Sequence, residues 1–143
     1  MRVNISNKQL FSDVIHRMFP GFDLPEINGL TIDSRNVEQG DIFLPLKGNN
    51  LDGHQFISQA EAAGASLVFV ENPIKTSMLT QKVHSTKAFL YELVREYRSK
   101  LSYPFIGITG SNGKTTTKDL LCHVLSAQMN VMRTEGNFNS TIG

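Results

Sequence analysis

Phe105-Ile106-Gly107-Ile108-Thr109-Gly110-Ser111-Asn112-Gly113-Lys114-Thr115-Thr116-Thr117 decides how this chain is read. A short apolar run breaks at a Gly-rich turn, and Lys-Thr then opens an amphipathic segment. That order suits a phosphate-binding loop between a strand and a helix. Small residues let backbone N–H groups crowd around phosphate oxygens, and the helix N-terminus adds partial positive charge. In such a loop Gly110, Ser111, Asn112, Gly113, Lys114, Thr115 and Thr116 hold the nucleotide. Lys114 is the candidate catalytic residue at the terminal phosphates, and the Thr115 hydroxyl is the candidate Mg²⁺ ligand. The general pattern G-x-x-x-x-G-K-[ST] asks for Gly at position 108, where this chain has Ile108 between Gly107 and Gly110.

Working outward, a helix from Lys114 to about Gln128 and a strand at Val131-Met132-Arg133-Thr134 would complete one β-α-β unit with the strand of the loop. Upstream, Ser85 to Leu101 reads as an amphipathic helix. Phe89, Leu90, Leu93, Val94, Tyr97 and Leu101 form its apolar face, and Tyr103-Pro104 ends it. Asn72 to Thr80 is polar, contains Pro73 and reads as a linker or exposed loop. Leu67-Val68-Phe69-Val70 is a buried strand following a short helix, Phe56 to Ala63, that Gly64 stops. Strand-like runs occur at Thr31-Ile32 and Ile42-Phe43-Leu44, with a loop from Gly48 to Gly53. Near the start, Ser6 is a candidate cap for a helix carrying Leu10, Phe11, Val14, Ile15 and Met18, stopped by Pro20-Gly21.

The class is therefore α/β in two pieces: residues 1–82 as a small domain, and 83–143 as the beginning of a nucleotide-binding sheet. Two strands are few beside the roughly four to six of an open parallel sheet, so the second piece is expected to be incomplete. The 143 residues, 40% hydrophobic and 19% charged, suit a folded chain rather than a disordered one. A net charge of +1 offers no footprint for nucleic acid or a membrane surface. One cysteine, Cys122, excludes an internal disulfide framework. With neither a signal peptide nor an apolar run of about 18 residues, the expected compartment is the cytoplasm.

Other residues carry weaker signals. A hydroxyl and a guanidinium in Asp33-Ser34-Arg35, at a strand end, can bind a uracil edge or a diphosphate. The plain alternative is a turn in which Asp33 caps the chain and Arg35 pairs with Asp41. Asn137 and Asn139 follow a predicted strand, where ligands of α/β sheets collect; they are candidates for touching substrate, or else close an Asn-rich turn. His54 reads as a structural hydrogen-bonding residue. His16, His84 and His123 lack metal-ligand spacing. Asp119, one turn into the helix after the loop, does not replace a strand-end Mg²⁺ carboxylate.

The variant Ile108-Thr109-Gly110-Ser111-Asn112-Gly113-Lys114-Thr115-Thr116-Thr117 resembles the loop of the Mur ligases, which build the peptide stem of bacterial cell-wall precursors. There the first Gly of the general pattern is commonly replaced. Thr31-Ile32-Asp33-Ser34-Arg35, Gly40-Asp41-Ile42-Phe43, Leu46-Lys47-Gly48 and Asp52-Gly53-His54 look like the uridine-binding domain of that family. Thr134-Glu135-Gly136-Asn137-Phe138-Asn139 is similar to a segment of the branch that adds the terminal dipeptide. The resemblance covers essentially the whole chain. It implies substrate contacts at Ser34, Arg35, Gly48, Asn49, Asn50, Asn137 and Asn139, with ATP and Mg²⁺ at the loop. It further implies a monomeric parent enzyme in which D-Ala-D-Ala joins UDP-MurNAc-tripeptide through an acyl phosphate. The 143 residues alone are expected to be inactive. Two other readings are a module that binds the UDP precursor without chemistry, and the ligase adding the third stem residue, against which Gly136-Asn137-Phe138-Asn139 argues.

Overall fold

The computed structural model describes residues 2–48 and 51–134. The chain divides into two compact units, Met1–Ser102 and Tyr103–Gly143. The first is built on a five-stranded sheet with strands in chain order: β1 (Arg2–Asn4), β2 (Gly29–Thr31), β3 (Ile42–Phe43), β4 (Leu67–Val70) and β5 (Leu79–Lys82). β1 runs antiparallel to β2, and the remaining pairs are parallel, in registers such as Leu30 with Ile42, Ile42 with Leu67, and Leu67 with Leu79. Its helices are α1 (Lys8–Met18), α2 (Ile57–Ala62) and α3 (Thr86–Ser99).

Alternation along the central strands separates two apolar layers. Leu67 and Phe69 of β4, with Ile42 and Leu44 at β3, join Phe11, Val14 and Ile15 of α1 and Phe89 and Leu93 of α3. Val68, Val70 and Phe43 point to the other face, against Ile57 and Ala60 of α2 and Met78. A sheet whose successive side chains are buried on opposite faces needs a continuous apolar run, and Leu67-Val68-Phe69-Val70 supplies one. On the α1/α3 face Phe69 and Phe89 stack with ring centroids 4.1 Å apart, and Phe19 lies 5.9 and 5.7 Å from them.

Four expectations need correction here. Asn7, not Ser6, caps α1: its side-chain oxygen accepts from the Leu10 N–H at 3.0 Å. The segment expected to be loop through Thr80 ends in β5, which the polar run Leu-Thr-Gln-Lys forms as a mostly exposed edge strand. The predicted helix before the phosphate loop is present as α3, but Phe89 and Leu93 sit in the first unit's core. The compact unit thus runs on to Ser102 rather than stopping near residue 82. Along α3, Val94 is half exposed, outside the apolar face expected for it.

The N-terminus of α3 is tied by side chains. Ser85 caps α3, and Glu71, just past β4, accepts from the Thr86 N–H and hydroxyl at 2.9 and 3.1 Å. At the start of β3, the fully buried Asp41 takes a two-pronged ion pair from Arg2, at 2.7 and 2.9 Å, and the Glu38 N–H at 2.9 Å. Its partner is therefore Arg2 and not Arg35, as the plain reading of the Asp33 turn had it.

The second unit contributes one helix among its described residues, α4 (Lys114–Leu125). Neither Phe105 to Ile108 nor Val131 to Thr134 is a strand, so the expected β-α-β unit is reduced to its loop and helix. A strand receives its hydrogen bonds from neighbours, and no strand is found among this unit's described residues. Instead Lys118 Nζ donates to the Thr134 carbonyl at 2.7 Å and Arg133 pairs with Asp119 at 2.6 Å, holding residues 133–134 to α4.

Candidate functional site

The phosphate loop is built by two glycines. Gly113 is the N-cap of α4 with φ +77°, and Gly110 has φ +152°, conformations that side-chain-bearing residues rarely adopt. Gly113 offers no capping side chain, and the first helical bond is Thr117 N–H to Gly113 O at 2.9 Å. The N–H groups of the first turn precede that ladder and face the loop, which is the arrangement that receives an anion. Lys114 Nζ curls back onto the Gly110 carbonyl at 2.6 Å, which places its charge within the loop. Gly110, Ser111, Asn112, Thr115 and Thr116 are all exposed around it.

Thr115 stands in the first turn of α4, where a hydroxyl can ligate a cation shared with phosphate oxygens. Asp119 is engaged by Arg133 and has Lys118 at 3.8 Å, so it is not poised as a second ligand. Among the described residues no group of three His, Cys, Asp or Glu side chains gathers to hold a metal by itself. A cation here would depend on the nucleotide for most of its oxygens.

In the first unit, the candidate residues follow the carboxyl ends of the adjacent parallel strands β2 and β3, the edge of an α/β sheet where ligands collect. After β2, the Thr31 hydroxyl and the Asp33 backbone exchange hydrogen bonds of 3.1 Å and fix a 3₁₀ turn over Ser34–Asn36. Asp33 caps that turn through the Arg35 N–H and also grips the Arg35 guanidinium, Nε at 2.9 Å and Nη2 at 2.7 Å. These side-chain and backbone hydrogen bonds from Arg35 hold the Asp33 carboxyl down at about 2. Only one edge of the guanidinium is used, and the Arg35 side chain is 78% exposed, so its remaining donors face solvent. Ser34 is buried, and its hydroxyl donates to Gln59 Oε1 of α2 at 2.9 Å.

After β3, Lys47 and Asp52 bridge across a loop closed by Gly48 N–H to Leu51 O at 2.8 Å and Gly53 N–H to Leu46 O at 3.0 Å. Gly53 is required there, because a Cβ would meet the Leu46 backbone N and O at 2.8 Å. Gly48 is exposed at this edge; Asn49 and Asn50, expected beside it, lie outside the described residues, as do Asn137 and Asn139. Asp52 accepts from the His54 N–H at 3.0 Å and from its Nδ1 at 2.7 Å, and these bonds lower the Asp52 carboxyl below its ordinary range. His54 is therefore a structural hydrogen-bonding residue, as expected, although its buried Nε2 finds no partner among the described residues. Gln59 was not among the expected site residues. It lies 25 positions from Ser34, and nothing in the local pattern links them.

Residues 26–104 match the Mur ligase family, catalytic domain, and residues 108–143 match the Mur ligase middle domain. The chain is 42% identical over 128 residues to the UDP-N-acetylmuramoyl-tripeptide–D-alanyl-D-alanine ligase of Bacillus subtilis (strain 168), an alignment covering 87% of this chain and 28% of that protein. It is 40% identical over 106 residues to the UDP-N-acetylmuramoyl-L-alanyl-D-glutamate–2,6-diaminopimelate ligase of Aquifex aeolicus (strain VF5), covering 73% and 22%. Its fold superposes on the crystal structure of MurF ligase from Thermotoga maritima in complex with ADP with a TM-score of 0.71 at 36% identity, covering 82% and 27%. The chain thus spans under a third of the length of these relatives. With two family domains matched in order over the sheet and the phosphate loop, it belongs to the Mur ligase family.

Proposed function

We propose that this chain carries the uridine-nucleotide-binding part and the phosphate loop of an ATP-dependent ligase that joins D-Ala-D-Ala to UDP-MurNAc-tripeptide. The observation that supports it most is the glycine-capped N-terminus of α4 with Lys114 folded into the loop, within a chain similar to such ligases. The first unit, through Ser102, is assigned the UDP end of the substrate at Ser34, Arg35 and Gly48, with Asn49 and Asn50. The second unit begins the ATP-binding domain, with Asn137 and Asn139 toward the peptide or muramoyl group.

In this reading Lys114 neutralises charge on the β- and γ-phosphates, and Thr115 helps to hold Mg²⁺. The tripeptide carboxylate attacks the γ-phosphate, ADP leaves, and an acyl phosphate forms. The amine of D-Ala-D-Ala then adds to the acyl carbon, and phosphate departs as the amide forms. Positioning and electrostatics supply most of the acceleration in phosphoryl transfer. These 143 residues are assigned binding, and turnover is assigned to the full length represented by the relatives. The parent enzyme is read as a cytoplasmic monomer without nucleic-acid or membrane partners. Among the described residues no helix is long and apolar enough to cross a membrane.

The test is calorimetry of the chain with Mg-ATP, for wild type and Lys114→Ala. The expected outcome is binding that weakens by about tenfold or more in the variant, as for loss of a charge-assisted contact. Equal affinities would remove Lys114 from the nucleotide site.

A further inference from the structure

A serine hydroxyl has one proton to give and lone pairs to receive. The Ser34 proton is committed to Gln59 Oε1 at 2.9 Å. Toward any further partner, Ser34 is then an acceptor only. This decides between the two ligand groups that Asp33-Ser34-Arg35 could serve, because phosphate oxygens are also acceptors and do not pair with such a hydroxyl. The exposed guanidinium edge of Arg35 suits the diphosphate, and Ser34 suits an N–H donor. Gln59 itself is exposed, and with Oε1 turned to Ser34 its amide nitrogen keeps N–H donors.

We propose that Gln59 is the positioning residue that sets base specificity: by taking the Ser34 proton it makes the pair one acceptor beside one donor, complementary to the N–H and carbonyl of a uracil imide. Cytosine presents the opposite pattern, an unprotonated ring nitrogen beside an amino group, and is mismatched at both atoms. Ser34 keeps 6% of its surface exposed, so a base atom at this hydroxyl is nearly stripped of water. An unmatched pair there costs the desolvation of both groups, worth about tenfold to a hundredfold in affinity. The inference rests on the uridine reading of this edge and adds to it a residue and a polarity.

The experiment is calorimetric titration of the 143-residue chain with UDP and, separately, with CDP. Wild type is expected to favour UDP by about tenfold or more. In Gln59→Leu the freed hydroxyl can donate to cytosine as readily as accept from uracil, and the ratio should fall toward one. Gln59→Glu still takes the Ser34 proton but sets a carboxylate where the amide donor stood, so UDP should weaken against the uracil carbonyl and the ratio should fall as in Gln59→Leu. Should Gln59→Leu fail to fold by circular dichroism, Ser34→Ala reads the same point: UDP weakens while CDP does not. A Gln59→Leu or Gln59→Glu chain with the wild-type ratio, or a Ser34→Ala chain that weakens for both nucleotides equally, would overturn the inference while leaving the uridine reading in place. Failure of wild type to bind UDP at all would overturn both.

Discussion

Leu67-Val68-Phe69-Val70 and Phe105-Ile106-Gly107-Ile108 are alike on paper, each a short apolar run next to a helix. The first is a strand whose residues are at most 2% exposed, while Phe105 and Ile106 are 52% and 62% exposed and belong to no strand. The difference lies in the company each keeps. β4 has β3 and β5 on its flanks and helices on both faces, so its backbone groups and its side chains are all satisfied. The run before the phosphate loop has no strand of its own unit to pair with among the described residues. Apolar sequence is permissive for a strand; neighbours make it one. α4 repeats the lesson. It forms behind its glycine cap, yet none of its residues is buried, and Leu120 and Val124 are exposed.

The largest test of this contrast is a matched pair of truncations followed by urea denaturation. Phe69→Ala removes a fully buried ring stacked on Phe89 and should cost about 3–5 kcal/mol. Phe105→Ala should stay within about 0.5 kcal/mol. Comparable losses would mean that the second unit is cored like the first.

Next in size is Asp41→Ala. It strands the Glu38 N–H and leaves the Arg2 guanidinium to Glu38 and Asn4 alone, and should cost about 3 kcal/mol, as when one partner of a buried pair is weakened. A helix cap comes after it. Asn7→Ala should cost about 1 kcal/mol, and Ser6→Ala only a few tenths.

The smallest effect belongs to Asp33. Its folded carboxyl titrates at about 2, below its ordinary 3.8, because of Arg35. A depressed carboxyl contributes its stabilisation in full above the ordinary value, and that contribution fades as pH falls from there through about 2. Arg35→Met should raise the Asp33 midpoint toward 3.8, read by carboxyl carbon NMR. An unmoved midpoint would deny the pair. Since Arg35 is largely exposed, the effect on global stability should be slight.

These residues also mark what the sequence could disclose. Continuous apolar runs and helical periodicity are local signals, so β4, α1, α3 and the loop–helix junction were legible, and the family motifs lay in plain order. β5 was hidden because an edge strand need not be apolar, and Leu-Thr-Gln-Lys looks like loop. α3 was recognised but assigned to the wrong unit, since an amphipathic face does not say which sheet it covers. Asn7 and Ser6 are both good caps, and only backbone geometry chooses between them. Arg2 with Asp41 and Ser34 with Gln59 are 39 and 25 residues apart, and pairings of that range come from topology.

The central claim, that the carboxyl edge of β2 and β3 receives the UDP end of a cell-wall precursor, is most directly tested by backbone amide NMR during titration with UDP-MurNAc-tripeptide. The account predicts saturable shifts at Ser34, Arg35, Gly48 and Gln59. Saturable binding that leaves those four amides in place, or no binding at all, would contradict it.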